Sequence, residues 1–166
     1  PTSAKDVVDE FGNKIKFILD GGQCKIGLES TIIDLTVKPT ILRPGSISAE
    51  KIQKILKKKI TINNNPKKIK GPGQLKLHYS PGIPIIMNRK HPEKNQAFIG
   101  FGKKFKHGKN NFNLSKNGSL KEAANNLYKI MRKIKKRNFK SIAVTQIPDI
   151  KLGRAINDRL IKASNK

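Results

Sequence analysis

The chain has 166 residues, a length that allows one ordinary domain or two small ones. Only 5% of the residues are aromatic and none is tryptophan, so any core must consist mainly of Ile, Leu and Val. The single cysteine, Cys24, excludes an internal disulfide, and we expect it to be a small buried residue or a product of neutral drift rather than a nucleophile. No apolar run approaches the ~20 residues that span a bilayer, and no signal-peptide pattern is present, so we expect a cytoplasmic protein without membrane contact.

The net charge of +25 is the most unusual feature of the composition. One interpretation is a phosphate-rich partner such as tRNA. The lysines, however, are dispersed from Lys5 to Lys166 among many Asn and Ile residues, a mixture that AT-rich codon usage also produces. A nucleic-acid module usually clusters its basic residues and interleaves aromatic residues for stacking, whereas the basic runs 57–59, 67–68 and 133–137 contain none. We therefore favour codon bias, with tRNA binding as the alternative.

The first part of the chain predicts a capped helix followed by a sheet edge. Thr2 and Ser3 precede an apolar helical pattern that ends at Gly12. Alternating residues then predict strands in the segments KIKFILD, STIIDLT and TILRPG, which are joined by glycine-rich turns. Ser48 is placed to cap a further helix, after which the apolar periodicity is lost.

The rest of the chain divides into a linker and a second α/β unit. Residues 59–82 are rich in Lys, Asn, Gly and Pro without sustained periodicity. After them, IPIIMN, AFIGF and KSIAVTQI predict buried strands, Ser119 and Glu122 predict a capping box, and a terminal helix is predicted from Arg154 to Ser164. Alternating strands and helices indicate parallel pairing, so we predict domains at 1–58 and 83–166 on either side of the linker.

The segment from Asp20 to Gly45 has the residue types that suit an anion. Its glycines permit close backbone approach, Ser30 and Thr31 offer hydroxyl groups, and Arg43 can direct two donors at a carboxylate or phosphate. The alternative is structural: Ser30 and Thr31 simply begin a strand, and Arg43 pairs with Glu29 or Asp34.

Three motifs follow one another along the chain: ILDGG with GLESTIIDLT, then ILRPGSIS, and then GPGQLKLHYSP. In this order they resemble the motifs of the threonylcarbamoyl-AMP synthase family. The segments AANNLYKIMRKI and IPDIKLGRAINDRLIKAS are similar to the C-terminal domain of the long form of that family. The resemblance implies part of a YrdC-like α/β catalytic domain, a linker and a small Rossmann-like domain. It also implies synthesis of threonylcarbamoyl-AMP from L-threonine, bicarbonate and ATP, with Mg²⁺ and release of pyrophosphate, for the modification of tRNA.

Carried over residue by residue, the resemblance places Ser30 and Thr31 at the L-threonine site, with Thr31 the preferred ligand. It places Arg43 on ATP, and it has Tyr79 reach back from the linker over the nucleotide. His78 is a weaker candidate, because an exposed linker histidine is an equally good interpretation. The resemblance gives no residue a catalytic or metal-binding role in this chain.

The family's Lys-x-Arg motif, and the serine before its Pro-Thr turn, have no counterpart here, since Pro1 stands where that turn begins. We therefore expect this chain to need the N-terminal half of the catalytic domain and to be inactive alone. The alternative function is a basic RNA-binding or regulatory module without activity. Convergence of Ser30, Thr31, Arg43 and Tyr79 on one cavity would favour the enzyme, whereas clustering of Lys and Arg on one face would favour the RNA-binding module. A degenerate, non-functional remnant is a third interpretation.

Overall fold

The computed structural model describes residues 1–63, 66, 68–75, 79–106 and 108–164. It contains a three-stranded and a four-stranded sheet, so the predicted mixed α/β class is confirmed. In the described part of the chain, no helix is both long and apolar enough to cross a membrane.

The smaller sheet lies in the N-terminal part. Its elements are α1 (Ala4–Phe11), β1 (Ile32–Asp34), β2 (Thr40–Arg43), α2 (Ala49–Leu56) and β3 (Thr61–Ile62). Strand β2 is central, antiparallel to β1 and parallel to β3. The Ser3 and Ser48 hydroxyl groups accept hydrogen bonds from the backbone three residues on, as expected of N-caps, and Gly12 ends α1. The core of this sheet is small and consists of Ile41, Ala49 and Ile52.

The strand predicted in KIKFILD is wrong. After a 3₁₀ turn at Gly12–Lys14, the chain continues without strand structure to Thr31, and the side chains of Phe17 and Leu19 are 89% and 101% exposed. An alternating pattern forms a strand only where a neighbouring strand accepts its backbone hydrogen bonds, and no described segment does so here. Cys24 is likewise exposed rather than buried.

The larger sheet forms the C-terminal unit. It consists of β4 (Ile85–Ile86), β5 (Gln96–Gly100), β6 (Asn111–Asn113) and β7 (Ser141–Val144), with α3 (Leu120–Lys135) and α4 (Leu152–Ser164). The order is β4-β7-β5-β6 and every pairing is parallel, which confirms the predicted parallel α/β unit. Strand β6 was not predicted, because its three residues Asn-Phe-Asn show neither an apolar run nor a usable alternation.

Two features of the C-terminal unit and the linker differ from expectation. Ser119 caps α3, but the Glu122 carboxylate accepts a hydrogen bond from Ser115 Oγ at 2.5 Å instead of returning to the Ser119 N–H, which donates to Ser115 Oγ. The range predicted as a linker also contains β3, so the small sheet extends past residue 58. The domain division itself remains a prediction.

The C-terminal unit has a continuous apolar core under α3 and α4. Leu160 and Ile161 are neighbours on α4, yet Leu160 is 0% exposed and Ile161 is 50% exposed. Leu160→Ala should therefore lower the free energy of unfolding by about 2–5 kcal/mol, because it opens a cavity in a packed core.

Denaturant unfolding monitored by circular dichroism measures the difference in the free energy of unfolding between the parent and Leu160→Ala. Ile161→Ala is the matched control, and its free energy of unfolding should stay within about 0.5–1 kcal/mol of the parent because little apolar surface is lost. Equal losses in the two variants would show that α4 is not packed as described.

Candidate functional site

The pairing of β1 with β2 brings two of the predicted site residues together. Ile32 at the start of β1 lies opposite Arg43 at the end of β2, so Ser30 comes close to Arg43. Arg43 Nε and Nη2 donate to the Ser30 carbonyl oxygen at 3.1 and 3.0 Å, and Nη2 also donates to Ser30 Oγ at 3.1 Å. The antiparallel register therefore fixes the guanidinium against Ser30.

The structure does not support the alternative in which Arg43 pairs with Glu29 or Asp34. Asp34 pairs with Lys70 at 2.9 Å, and Glu29 pairs with Arg159 at 2.9 Å. Arg43 is only 8% exposed and forms no ion pair with any residue that the structure describes. An arginine held this far from water without a carboxylate favours an anion as its partner, since an uncompensated buried charge is costly.

Thr31 lies next to this pair, but its hydroxyl group is engaged elsewhere. Thr31 Oγ1 donates to the Ile47 carbonyl oxygen at 2.6 Å and accepts from the Ile47 N–H at 3.0 Å. A hydroxyl group has one donor and two acceptor positions, so a single acceptor position remains. In this structure Thr31 holds the turn after β2 against the start of β1.

Tyr79, the third predicted site residue, lies close to Arg43. A Cβ atom added at Gly73 would lie 2.7 Å from Arg43 Cδ and 2.8 Å from Tyr79 Oη, so both side chains pack directly against this glycine. The Tyr79 backbone has a φ of 63°, a left-handed conformation that costs a residue other than glycine about 1–3 kcal/mol. Burial raises the pKa of Tyr79, so the phenol is neutral at physiological pH. His78 lies outside the described residues.

A buried charge cluster that the sequence analysis did not predict lies beneath Tyr79. Its centre is Arg159 on α4, which is 0% exposed and bonds Glu29 Oε2 at 2.9 Å, the Pro44 carbonyl oxygen at 3.0 Å and the Asp158 carboxylate. Tyr128 on α3 donates to Glu29 Oε1 at 3.0 Å. Lys162 pairs with Asp158 at 2.7 Å.

The cluster perturbs the pKa values of its members. Burial alone would raise the pKa of Glu29, but the adjacent Arg159 brings it below the ordinary value. Burial raises the pKa of Tyr128, and the neighbouring Glu29 carboxylate raises it further. Burial alone would lower the pKa of Arg159, yet Glu29 keeps it above its ordinary value. Glu29 and Arg159 are therefore ionised at neutral pH, whereas the Tyr128 phenol is neutral.

One sequence signal could have identified this cluster. On the terminal helix, Ile156, Leu160 and Ala163 form the apolar stripe, and Arg159 lies beside it, three residues after Ile156 and four before Ala163. A charged side chain within a core stripe requires a buried partner. Asp158 is next to Arg159 in sequence, but no local pattern points to Glu29, which is 130 residues away.

The site residues line neither of two open cavities on the surface. A cavity of about 310 Å³ lies beside Asp34, Lys38, Lys70 and Gln74, and one of about 530 Å³ lies beside Lys51, Lys54, Lys121 and Lys151. Within the described ranges, no group of three or more His, Cys, Asp or Glu side chains is placed to hold a metal ion.

Two family models match the chain. The model of the threonylcarbamoyl-AMP synthase C-terminal domain matches residues 47–165, and a model described as telomere recombination matches residues 1–45. The chain therefore belongs to the threonylcarbamoyl-AMP synthase C-terminal domain family, and the resemblance seen in its motifs is confirmed.

Relatives with this name match nearly all of the chain. The threonylcarbamoyl-AMP synthase of Pyrococcus abyssi is 32% identical, over 99% of this chain and 54% of that protein. The Bacillus subtilis protein of the same name is 28% identical, over 99% of this chain and 53% of that protein. The chain thus spans about half the length of these curated relatives.

Two solved structures of P. abyssi Sua5 share the fold. The crystal structure of the complex with L-threonine has a TM-score of 0.84 at 31% identity and covers 99% of this chain and 54% of that chain. The second is a variant with adjacent histidine and tyrosine residues replaced by alanine. It has a TM-score of 0.73 at 28% identity and covers 99% of this chain and 51% of that chain.

The pair formed by buried Arg159 and partly exposed Glu29 predicts how stability depends on pH. Because folding lowers the pKa of Glu29 from its ordinary value of 4.5, the stabilisation is complete above that value and is lost as the pH falls through the lower pKa of the folded state. Glu29→Gln should reduce the free energy of unfolding at pH 7 by about 1–3 kcal/mol. It should also lose less stability on acidification than the parent.

Urea unfolding at a series of pH values from neutral to about 3 measures both effects. Glu10→Gln is the control, because Glu10 is exposed and forms no ion pair with the described residues. Parallel pH profiles for the parent and Glu29→Gln would contradict the pairing.

Proposed function

We propose that this chain supplies the nucleotide-side wall of a threonylcarbamoyl-AMP synthase, together with its linker and C-terminal domain. The enzyme would join L-threonine, bicarbonate and ATP into threonylcarbamoyl-AMP and release pyrophosphate for the modification of tRNA. The observation that carries the proposal is Arg43, a nearly buried arginine without a carboxylate partner among the described residues. It lies between Ser30 and Tyr79, which are two other residues expected at the site.

In this proposal, catalysis rests on positioning and charge neutralisation. Arg43 Nη1 makes no hydrogen bond to a described residue, so it can donate to an ATP phosphate while Nε and Nη2 remain on Ser30. A guanidinium stays protonated throughout and offsets the charge that develops on pyrophosphate as it leaves. Tyr79 would cover the nucleotide as a neutral hydrogen-bonding phenol.

The hydroxyl groups of Ser30 and Thr31 would bind different groups of L-threonine. Ser30 Oγ accepts one hydrogen bond from Arg43 and keeps its own proton to donate to the substrate carboxylate. Thr31 has only one acceptor position left beside Ile47, so it would accept from the substrate ammonium or hydroxyl group. Thr31 thus remains a proposed ligand, in a narrower role than the sequence predicted.

The related structures support the assignment of Tyr79. One is a complex with L-threonine, and the other replaces adjacent histidine and tyrosine residues. In the present chain, His78-Tyr79 is the one place where a histidine directly precedes a tyrosine. We therefore propose that the His78-Tyr79 dipeptide contributes to the site that contains Ser30 and Arg43.

Several parts of the proposal concern molecules other than this chain. Magnesium would enter bound to the phosphates of ATP. Bicarbonate, the enzymes of the tRNA-modification pathway and the remaining half of the catalytic domain are proposed partners, with a cytoplasmic location. The exposed Phe17 and Leu19 fit this view, because they offer apolar surface that the rest of a catalytic domain can cover.

An RNA-binding module is the competing function, and the site geometry favours the enzyme. Such a module needs no contact of Arg43 with Ser30 and Tyr79, yet Arg43 donates to Ser30 and packs together with Tyr79 against Gly73. Direct contact with tRNA is not needed for the proposed reaction.

The test is threonine-dependent release of pyrophosphate from ATP. We expect none above background from this chain alone, and turnover once the remaining half of a relative's catalytic domain is added. In the active assembly, Arg43→Ala should lower kcat/KM for ATP by about 100-fold, because a donor to developing phosphate charge is lost. Arg43→Lys should lower kcat/KM for ATP similarly, since one ammonium group cannot bind Ser30 and phosphate together.

The control is Arg89→Ala, which removes an exposed arginine and should leave turnover unchanged. Parent-like use of ATP by Arg43→Ala would refute the role of Arg43. Pyrophosphate release by the chain alone would refute the need for a second half.

A further inference from the structure

Arg159 contacts the residues that flank Ser30 and Arg43 rather than Ser30 and Arg43 themselves. Glu29 immediately precedes Ser30, and Pro44 immediately follows Arg43. Arg159 Nε donates to the Glu29 carboxylate and Nη2 donates to the Pro44 carbonyl oxygen, at 2.9 and 3.0 Å. One guanidinium therefore holds the two chain segments that carry Ser30 and Arg43.

These two segments are in direct contact with each other. A Cβ atom added at Gly45 would lie 2.5 Å from the Glu29 carbonyl oxygen and 2.5 Å from Thr31 N. The Ser46 N–H donates to the same Glu29 oxygen at 2.9 Å. A shift of either segment must therefore move the other, because there is no free space between them.

The same guanidinium supports the tyrosine of the site. Its central carbon lies 4.8 Å from the centre of the Tyr79 ring, a cation–π distance, and the Tyr79 and Tyr128 rings are 6.0 Å apart. Tyr128 in turn holds the second oxygen of Glu29. Arg159 thus contacts both the residues beside Ser30 and Arg43 and the aromatic side chain above them.

We infer that Arg159 is a positioning residue that couples docking of the C-terminal domain to the geometry of Ser30, Arg43 and Tyr79. It binds neither ATP nor threonine. Its Nε, Nη1 and Nη2 atoms all bond protein groups, and the residue is 0% exposed. This inference rests on the proposed function for its catalytic consequence, but its structural consequence can be measured without activity.

The structural test uses the full chain with Arg159→Met, Arg159→Lys and the matched control Arg154→Met. Arg154 lies on the same helix and pairs with Glu50 at 2.9 Å across the same junction, but it makes no described contact with Glu29, Pro44 or Tyr79. The chain has two tyrosines and no tryptophan, so selectively labelled tyrosine rings give two NMR signals, which Tyr128→Phe assigns.

Both Arg159 variants should shift the two tyrosine signals toward free tyrosine and speed solvent exchange of Arg43 Nε–H by about 10-fold or more, as local opening becomes easier. Lysine should not restore the parent spectrum, because a single ammonium group cannot reach three partners in different directions. Arg154→Met should leave all of these signals in place.

Unmoved Tyr79 and Arg43 signals in Arg159→Met, or equal shifts in Arg154→Met, would overturn the inference. If Arg159→Met does not fold, Arg159→Lys provides the same comparison.

The catalytic test uses the active assembly. Arg159→Lys should raise KM for ATP by about 10- to 100-fold, as expected when a binding group is displaced by about 1 Å. Leu160→Ala, a destabilising change on the same helix away from these contacts, should leave KM unchanged, which separates positioning from loss of stability. An unchanged KM for ATP in Arg159→Lys would refute the positioning role. If the parent assembly is inactive but the expected NMR shifts are seen, the proposed function is refuted and the structural role of Arg159 is not.

Discussion

A fully buried guanidinium with three different partners is the constraint on which the rest of this structure depends. Water cannot compensate the charge of Arg159, so Glu29, Asp158 and Pro44 must stay within hydrogen-bonding distance of it. Because Glu29 precedes β1, Pro44 follows β2 and Arg159 belongs to α4, the two sheets cannot separate without exposing unpaired groups. The N-terminal unit, whose own core is only three residues, gains much of its fixed geometry from this contact.

The geometry of the site follows from the same contact. Glu29 and Pro44 flank Ser30 and Arg43, so the charge cluster fixes the backbone on which the site is built. Arg43 itself is different in kind, since it is nearly buried but has no carboxylate among the described residues. In the proposed function, Arg159, whose charge is matched by carboxylates, supports Arg43, whose charge is left for an anionic ligand. This division is what an anion-binding site on a rigid base requires.

Local patterns predicted most of the elements but not the cluster that joins them. The caps at Ser3, Ser48 and Ser119, the apolar face of α3 and the parallel strands each have a signal within a few residues. The KIKFILD prediction failed because strand formation depends on a partner that alternation does not reveal. Motif resemblance pointed to Ser30, Arg43 and Tyr79, and Arg43 does contact Ser30 and pack beside Tyr79, while the binding roles of the three residues remain predictions. The bonds of Thr31 to Ile47 and of Glu29 to Arg159 are long-range contacts with no local signature.

Hydrogen exchange of the active assembly, with and without ATP and L-threonine, tests the central claim most directly. If Ser30, Arg43 and Tyr79 form the ligand-facing wall, the two substrates together should slow amide exchange around residues 30–31, 45–47 and 79–80. Exchange around Phe17 and Leu19 should depend on the presence of the other half of the catalytic domain and not on substrate. Protection confined to the loops of the C-terminal sheet, or no change at residues 30–31 and 45–47 while the assembly turns over, would contradict the account.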